Sequence, residues 1–465
     1  MKDFIGEDFL LETDEARRIY NDFAKNMPIC DYHCHLSPKE IYENKAPKNI
    51  TQLWLSGDHY KWRIMRACGI DEELITGRGD DKEKFIKFAC ALSYAIGNPL
   101  YHWAHLELKK YFGITAPLSV KTAEDIYEKA NEKIALGDFR PQTLIKNSNV
   151  KYICTTDDPT DTLEYHVLLQ KEDIDFKVYP TFRPDRALDI DKADFPQYVE
   201  KLSAVCGEEI NDIDSLISAL YMRADYFSSV GCRISDQSFG VVPFSVINRD
   251  ECNVIFTKAM SGKVPSFEEA QAYKTYVFTA LCGKYKELDW CCEIHIGALR
   301  NNNTVMFNKV GPDAGFDSMN DKEVAQPLSR LLDSLNTAAI LPKCVLFNLN
   351  SKDNLVLAAT TGNFQSSDAE CKIQFGPAWW FLDTLDGMTA QLKTLASVGV
   401  LGKFIGMETD SRSFTSYARH DYFRRILCSV IGDWLNKGMV SYDEDMLKEI
   451  IEGICYTNAV KYFKF

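Results

Sequence analysis

Asp31-Tyr32-His33-Cys34-His35, followed by Leu36-Ser37-Pro38, is the stretch on which the reading of the chain turns. Side chains on a β-strand alternate between faces, so His33 and His35 point the same way and can hold one metal ion through their imidazole nitrogens. Met27-Pro28-Ile29-Cys30 is a small apolar lead-in, and Pro38 ends the strand because proline removes a ladder donor. The pair is therefore expected at the end of a buried strand, facing a shared interior. Two hydrogen-bonded structural histidines are the competing interpretation of this pattern taken alone.

A chain of 465 residues can bury a large core, and barrel folds spend about 250 residues or more on a single unit. Hydrophobic residues make up 46% and charged residues 26%, a globular balance that argues against disorder. The net charge of -14 disfavours a general nucleic-acid or acidic-membrane binder, yet leaves room for a local basic pocket that takes a small anion. Fifteen cysteines, an odd number without framework spacing, read as reduced thiols of a cytoplasmic protein. The N-terminal residues lack a signal-peptide core and no run of about 18 apolar residues occurs, so neither secretion nor membrane spanning is expected.

Residues 39–149 read mostly as helix, an insertion after the first strand within a single catalytic barrel domain spanning 1–465. Apolar residues recur at helical spacing over Lys82–Ala95 and Tyr101–Phe112, with Gly77-Arg78-Gly79-Asp80 and Gly97-Asn98-Pro99 as breaks. Beyond it come short β-rich runs separated by helix-length segments: Tyr152–Thr156, Phe176–Pro180, Cys232–Ser235, Cys292–Ile296, Val345–Asn348, Lys372–Phe375 and Phe404–Met407. With the His33 strand they make eight, the signature of an α/β fold of the (β/α)8 TIM-barrel type, which carries its active residues at the C-terminal strand ends. Ionisable and amide side chains fall there: His33/His35, Asp157/Asp158, Arg183, Asp236, His295, Asn348/Asn350, Gln374 and Asp410/Arg412.

A third metal ligand is needed, and Asp410 is the best candidate, because first and eighth strands become neighbours when a barrel closes. A carboxylate with two imidazoles suits Zn2+, with another divalent ion as the alternative, and leaves positions for water or substrate. His295 is placed to be a fourth ligand or a nearby hydrogen-bonding group, and the competing role for Asp410 is a helix N-cap. His59 and Tyr60 can each move a proton, the phenol if its pKa is lowered beside a cation, although a solvated surface pair is the simpler reading. Arg183, Arg300 and Arg412 follow strand ends, and a guanidinium fork suits a carboxylate. No P-loop, dinucleotide fingerprint, G-x-S-x-G elbow or EF-hand loop is present.

These residues resemble the uronate isomerase (glucuronate isomerase) family of the amidohydrolase superfamily. The resemblance runs from Asp31 almost to Phe463 through Tyr101–Leu108, Thr155–Pro159, Arg183–Asp185, His295–Asn303, Gly311–Asp313, Trp379–Phe381 and Thr409–Ser413. It implies a distorted TIM barrel that interconverts D-glucuronate with D-fructuronate and D-galacturonate with D-tagaturonate. It also implies Zn2+ on His33, His35 and Asp410, with His295 close by, functional roles for His59, Tyr60, Arg183 and Arg412, and substrate contacts from His295 and Trp380. The partner is then a small hexuronate, with neither nucleic acid nor membrane involved, and a homo-oligomer is compatible with such a chain. Gln237 departs from the family, which often has histidine after the pair seen here as Ser235-Asp236. Either Asp410 or Tyr60 would be the group that exchanges the carbon-bound proton. A zinc hydrolase of the same superfamily, or a non-catalytic sugar-acid binder, are the rival functions; uronates tested against N-acyl substrates separate the first.

Overall fold

The computed structural model describes residues 3–465. Strands β1 (Ile29–Asp31), β2 (Val150–Cys154) and β3 (Lys177–Tyr179) form one parallel sheet in chain order. A second parallel sheet follows the order β4 (Ile234–Phe239), β5 (Cys291–Ile296), β8 (Lys343–Asn348) and β9 (Ile373–Phe375). Between β5 and β8 the chain makes a small antiparallel pair, β6 (Ala298–Leu299) with β7 (Ser318–Met319). Phe182 joins the two parallel sheets, bridging to Asp157 on one side and Ser235 on the other. Every residue of β5 and of β8 is buried, as expected of parallel strands shielded from water on both faces.

The eighth segment differs from its expected form. Phe404–Met407 joins no ladder, because Gly406 adopts φ +78° and sits where an added Cβ would stand 2.1 Å from the Ile454 carbonyl oxygen. Its place beside β1 is held further along instead: Asp410 N donates to His33 O at 3.1 Å and His35 N to Ser411 O at 3.0 Å. The α/β architecture is thus a distorted member of the expected class, with parallel strands following one another in chain order and the eighth segment held by single hydrogen bonds to the residues just past β1. The second correction concerns His33 and His35, which lie just past β1 rather than on it, since the ladder ends at Asp31. The fourth strand also runs later than Cys232–Ser235, so Asp236 occupies its middle.

Between β1 and β2 lie seven α-helices, among them Asp81–Tyr94 and Pro99–Phe112, near the periods read from sequence. These two begin on side-chain caps: Asp80 accepts from Glu83 N, and Asn98 from Leu100 N with Pro99 in the first turn. All fifteen cysteines are free. No described helix is long and apolar enough to cross a membrane.

The helix Asp14–Ile19 packs on the helix Ala418–Asn436. Gly432 is the reason they approach so closely: a Cβ there would stand 2.6 Å from the Ala16 nitrogen and 2.7 Å from its Cα and Cβ. Glycine inside a helix ordinarily costs about 0.5–1 kcal/mol relative to alanine, so Gly432→Ala on a free face would stabilise. Here it is expected to destabilise by about 1–3 kcal/mol through overpacking, lowering the urea midpoint. A midpoint equal to or above that of the parent chain would show that the two helices do not meet in this way.

Candidate metal centre

Three atoms from opposite ends of the chain converge past the end of β1. Asp410 Oδ1 lies 3.0 Å from His35 Nε2 and 3.5 Å from His33 Nε2. Their ligand atoms all fall within 4.8 Å of one another, the spacing a single ion can span. The backbone brings them together: Thr409 N and Oγ1 each donate at 2.7 Å to the buried Asp31 carboxylate, which ties the eighth segment to β1 immediately before both ligand runs.

The imidazoles are oriented from behind. His33 Nδ1 donates to Glu293 Oε2 at 2.9 Å, which leaves Nε2 with its lone pair toward Asp410. Asp410 Oδ2 accepts from two indoles, Trp379 Nε1 at 2.8 Å and Trp380 Nε1 at 2.9 Å, so Oδ1 is the oxygen left to face the histidines. Both Trp380 (φ 47°) and Asp410 (φ 42°) hold left-handed backbone, a strain of about 1–2 kcal/mol per non-glycine residue. Trp380 is therefore a buried support of Asp410, and its ring is also flanked by His59 at 5.8 Å and by the Arg300 guanidinium at 4.9 Å.

Electrostatics favour a cation at this point. Burial alone would depress His33, but Asp236, Asp410 and Glu293 outweigh it and raise its pKa well above the ordinary histidine range. Burial would likewise raise Asp410, yet hydrogen bonds from His33 and His35 hold its carboxyl well below the usual range. The negative field that draws a proton to His33 would draw a metal ion in its place. His35 is pushed the other way, down to about 4, chiefly by burial, so it is a neutral ligand.

His295 stands beside these three and forms, with His33 and Asp236, a second group whose ligand atoms lie within 4.8 Å of one another. Its Nδ1 donates to Asp236 Oδ1 at 2.8 Å, and Asp236 Oδ2 pairs with Arg183 Nη1 at 3.0 Å. Its buried Nε2 has no hydrogen-bond partner among the described residues, which leaves one free nitrogen whose ring lies 4.8 Å from that of His33. Arg183 is engaged on a second side by Asp185, at 2.9 Å from Nε. Arg412 is freer: an exposed side chain 3.5 Å from Asp313, which also lies 3.7 Å from Arg300.

His59 and Tyr60 open the helix His59–Ala67, whose N-cap Asp58 accepts from Tyr60 N and Lys61 N. They are not the solvated surface pair that was the simpler reading. Both are half-buried, their rings stack at 4.5 Å, and they line a cleft with Asp410 and Arg412. Burial, with Asp410 adding to it, pushes the Tyr60 phenol well above its ordinary pKa, opposite to the lowering considered from sequence. Gln237 points away from this cleft. It follows the inward Asp236 on β4 and accepts from Cys292 Sγ at 3.0 Å, so the family departure does not reach the ligands.

Sequence reasoning missed Glu293, Asp313 and the support of Asp410 by Trp379. For Glu293 a signal existed: it stands two residues before His295 inside an otherwise apolar strand, the same alternation that singled out His33 and His35.

Parallel strands in chain order, paired imidazoles after the first and a carboxylate from the eighth segment define an α/β fold with a candidate metal centre at the strand ends. In fold alone the chain is like a Lactobacillus casei protein of known structure, with a TM-score of 0.53 at 12% identity over 96% of this chain and 97% of that one. The chain belongs to the glucuronate isomerase family, whose model matches residues 1–463. It is 51% identical to the uronate isomerase of Caldanaerobacter subterraneus over 463 residues, 99% of each chain. The crystal structure of the Thermotoga maritima uronate isomerase superposes with a TM-score of 0.94 at 33% identity, covering 100% of both chains. Its activity is accordingly that of an isomerase of uronates.

Glu293→Gln keeps the shape and removes the charge behind His33. It is expected to weaken metal binding by about 10–100-fold in competition with a chromophoric chelator, the circular dichroism spectrum staying unchanged. Unaltered affinity would show that Glu293 does not orient the ligand.

Proposed function

We propose that the protein interconverts D-glucuronate with D-fructuronate and D-galacturonate with D-tagaturonate, with a divalent cation, Zn2+, held by His33, His35 and Asp410. The observation that carries this reading is the convergence of those three ligand atoms at the same mouth as two arginines, an imidazole and a phenol. The whole chain serves as one catalytic unit in this reading, and the helical section 39–149 supplies His59 and Tyr60. When bound, the ion would supply Lewis-acid compensation of negative charge on substrate oxygens.

The reaction moves a proton between C2 and C1 of an open-chain sugar, so it needs a base, a proton donor and a grip on the carboxylate. Asp410 is held ionised and is suited to accept the carbon-bound proton. Tyr60 is held as a neutral phenol and is suited to donate to oxygen rather than to act as base. Arg412, with only one distant carboxylate partner, has donors free for the substrate carboxylate. Arg183 spends Nε on Asp185 and Nη1 on Asp236, which leaves Nη2 for charge developing on a substrate oxygen. His59 and the free Nε2 of His295 are suited to orient hydroxyls.

A coupled assay on both aldoses tests the reading. Chelated protein should lose nearly all turnover and regain it with Zn2+, and Asp410→Asn should abolish isomerisation while its thermal unfolding stays cooperative. Equal activity with and without metal, or near-normal turnover in Asp410→Asn, would remove this site from the reaction.

A further inference from the structure

Arg419 stands second in the helix Ala418–Asn436, yet its side chain is buried, at 6% exposure. A cation is disfavoured there twice over, by the positive end of the helix dipole and by the loss of water. Its contacts account for its presence. Nη1 donates at 2.6 Å to the carbonyl of Thr409, the residue before Asp410, and Nη2 pairs with Asp383. The guanidinium lies 4.3 Å over the buried ring of Trp103, in the helix Pro99–Phe112.

Asp383 follows the turn Trp380–Leu382 and is fastened to it, its N donating to Trp380 O at 3.0 Å. That turn and Trp379 before it supply the two indoles that donate to Asp410 Oδ2. One planar guanidinium therefore spans the segment that carries the Asp410 carboxylate and the turn that carries its donors, with Trp103 as a flat support. Donors in fixed directions can hold such a spacing, whereas a lysine ammonium is a single point charge.

The neighbouring charges leave Arg419 to these partners. Lys61 pairs with Asp58 at 2.6 Å, Glu107 accepts from Thr415 Oγ1, and Asp31 accepts from Thr409. Among the described residues Asp383 is the one carboxylate ion-paired with Arg419. A buried pair of this kind often adds no more stability than apolar residues of the same volume, which points to geometry as its use. The tolerance is small. If Asp410 and the indoles moved apart by about 1 Å, Oδ2 would lose its donors and nothing would reserve Oδ1 for the imidazoles.

We propose that Arg419 is a positioning residue of the metal centre, holding the Asp410 segment and the tryptophan turn at the one spacing that presents Asp410 Oδ1 to His33 and His35. It acts through Thr409 and Asp383, and the inference rests on the reading of His33, His35 and Asp410 as the ligands.

Zn2+ binding by the full chain, in competition with a chromophoric chelator, tests it together with the visible absorption of the Co2+-loaded chain. Arg419→Lys keeps a charge beside Asp383 but cannot hold both partners at their spacing. The double variant Arg419→Met, Asp383→Asn removes both charges, so that neither is stranded. Gly432→Ala strains the same helix about 20 Å away and reports on mere loss of stability. Arg419→Lys and the double variant are expected to unfold cooperatively, bind Zn2+ about tenfold more weakly and shift the Co2+ bands. They are also expected to lose kcat on D-glucuronate with less change in KM, while Gly432→Ala binds Zn2+ as the parent chain does. Parent-like Zn2+ affinity and Co2+ bands in both Arg419 variants would overturn the proposal. An equal loss in Gly432→Ala, or failure of Arg419→Lys to fold, would make Arg419 a structural residue only and overturn it equally. Zn2+ affinity unchanged in Asp410→Asn would remove the ligand set itself, and the proposal with it, whatever the Arg419 variants do.

Discussion

A buried carboxylate fastening two distant pieces of chain is the constraint on which this molecule depends. Asp31 ends β1 and accepts both the amide and the hydroxyl of Thr409, which has no ladder of its own to fix it. Each neighbour of that latch is committed: two residues on from Asp31 comes His33, and one on from Thr409 comes Asp410. The exchange of backbone hydrogen bonds between His33, Asp410, His35 and Ser411 then sets the register to the residue. Burial pushes the Asp31 carboxyl up to about 6 despite its Thr409 partners, a measure of how far it has been taken from water to do this. An unpartnered group in that position would cost about 1–3 kcal/mol or more.

The space between the strands shows the same economy of polar groups. Asp236, Glu293 and His295 are wholly buried between parallel strands, where isolated charges are not tolerated. Each is answered by a named partner: Asp236 by Arg183 and His295, Glu293 by His33. Burial would raise Asp236, and Arg183 with the two histidines reverses that and holds it well below the carboxylate range. Removing one member of such a set costs about 3–5 kcal/mol because it strands the other charge. The backbone strain at Trp380 and Asp410 is repaid in the same place, by the indole hydrogen bonds that select which oxygen of Asp410 faces the imidazoles.

Much of this was legible in the letters, and the failures share a cause. Alternation identified His33 with His35, and eight β-rich runs led to the meeting of the first and eighth segments. The assignment of both histidines and of Phe404–Met407 to strands did not hold, because periodicity reports which face a residue takes and not whether its backbone finds a ladder partner; Gly406 decides that by its left-handed φ. Asp236 was placed at a strand end and lies mid-strand, since the apolar run that marks a strand stops where inward polar residues begin. His59 and Tyr60 looked like surface residues because their cover, Trp380, comes from more than three hundred positions away. The raised Tyr60 pKa depends on the same distant packing. Glu293 alone was within reach of a stricter use of alternation.

Anomalous diffraction at the zinc edge from crystals of the zinc-loaded chain addresses the convergence directly. One ion is expected, at about 2.0–2.2 Å from His33 Nε2, His35 Nε2 and an Asp410 carboxylate oxygen. An ion bound elsewhere in the chain, or a map in which the Asp410 carboxylate stands apart from the two imidazoles, would contradict the account.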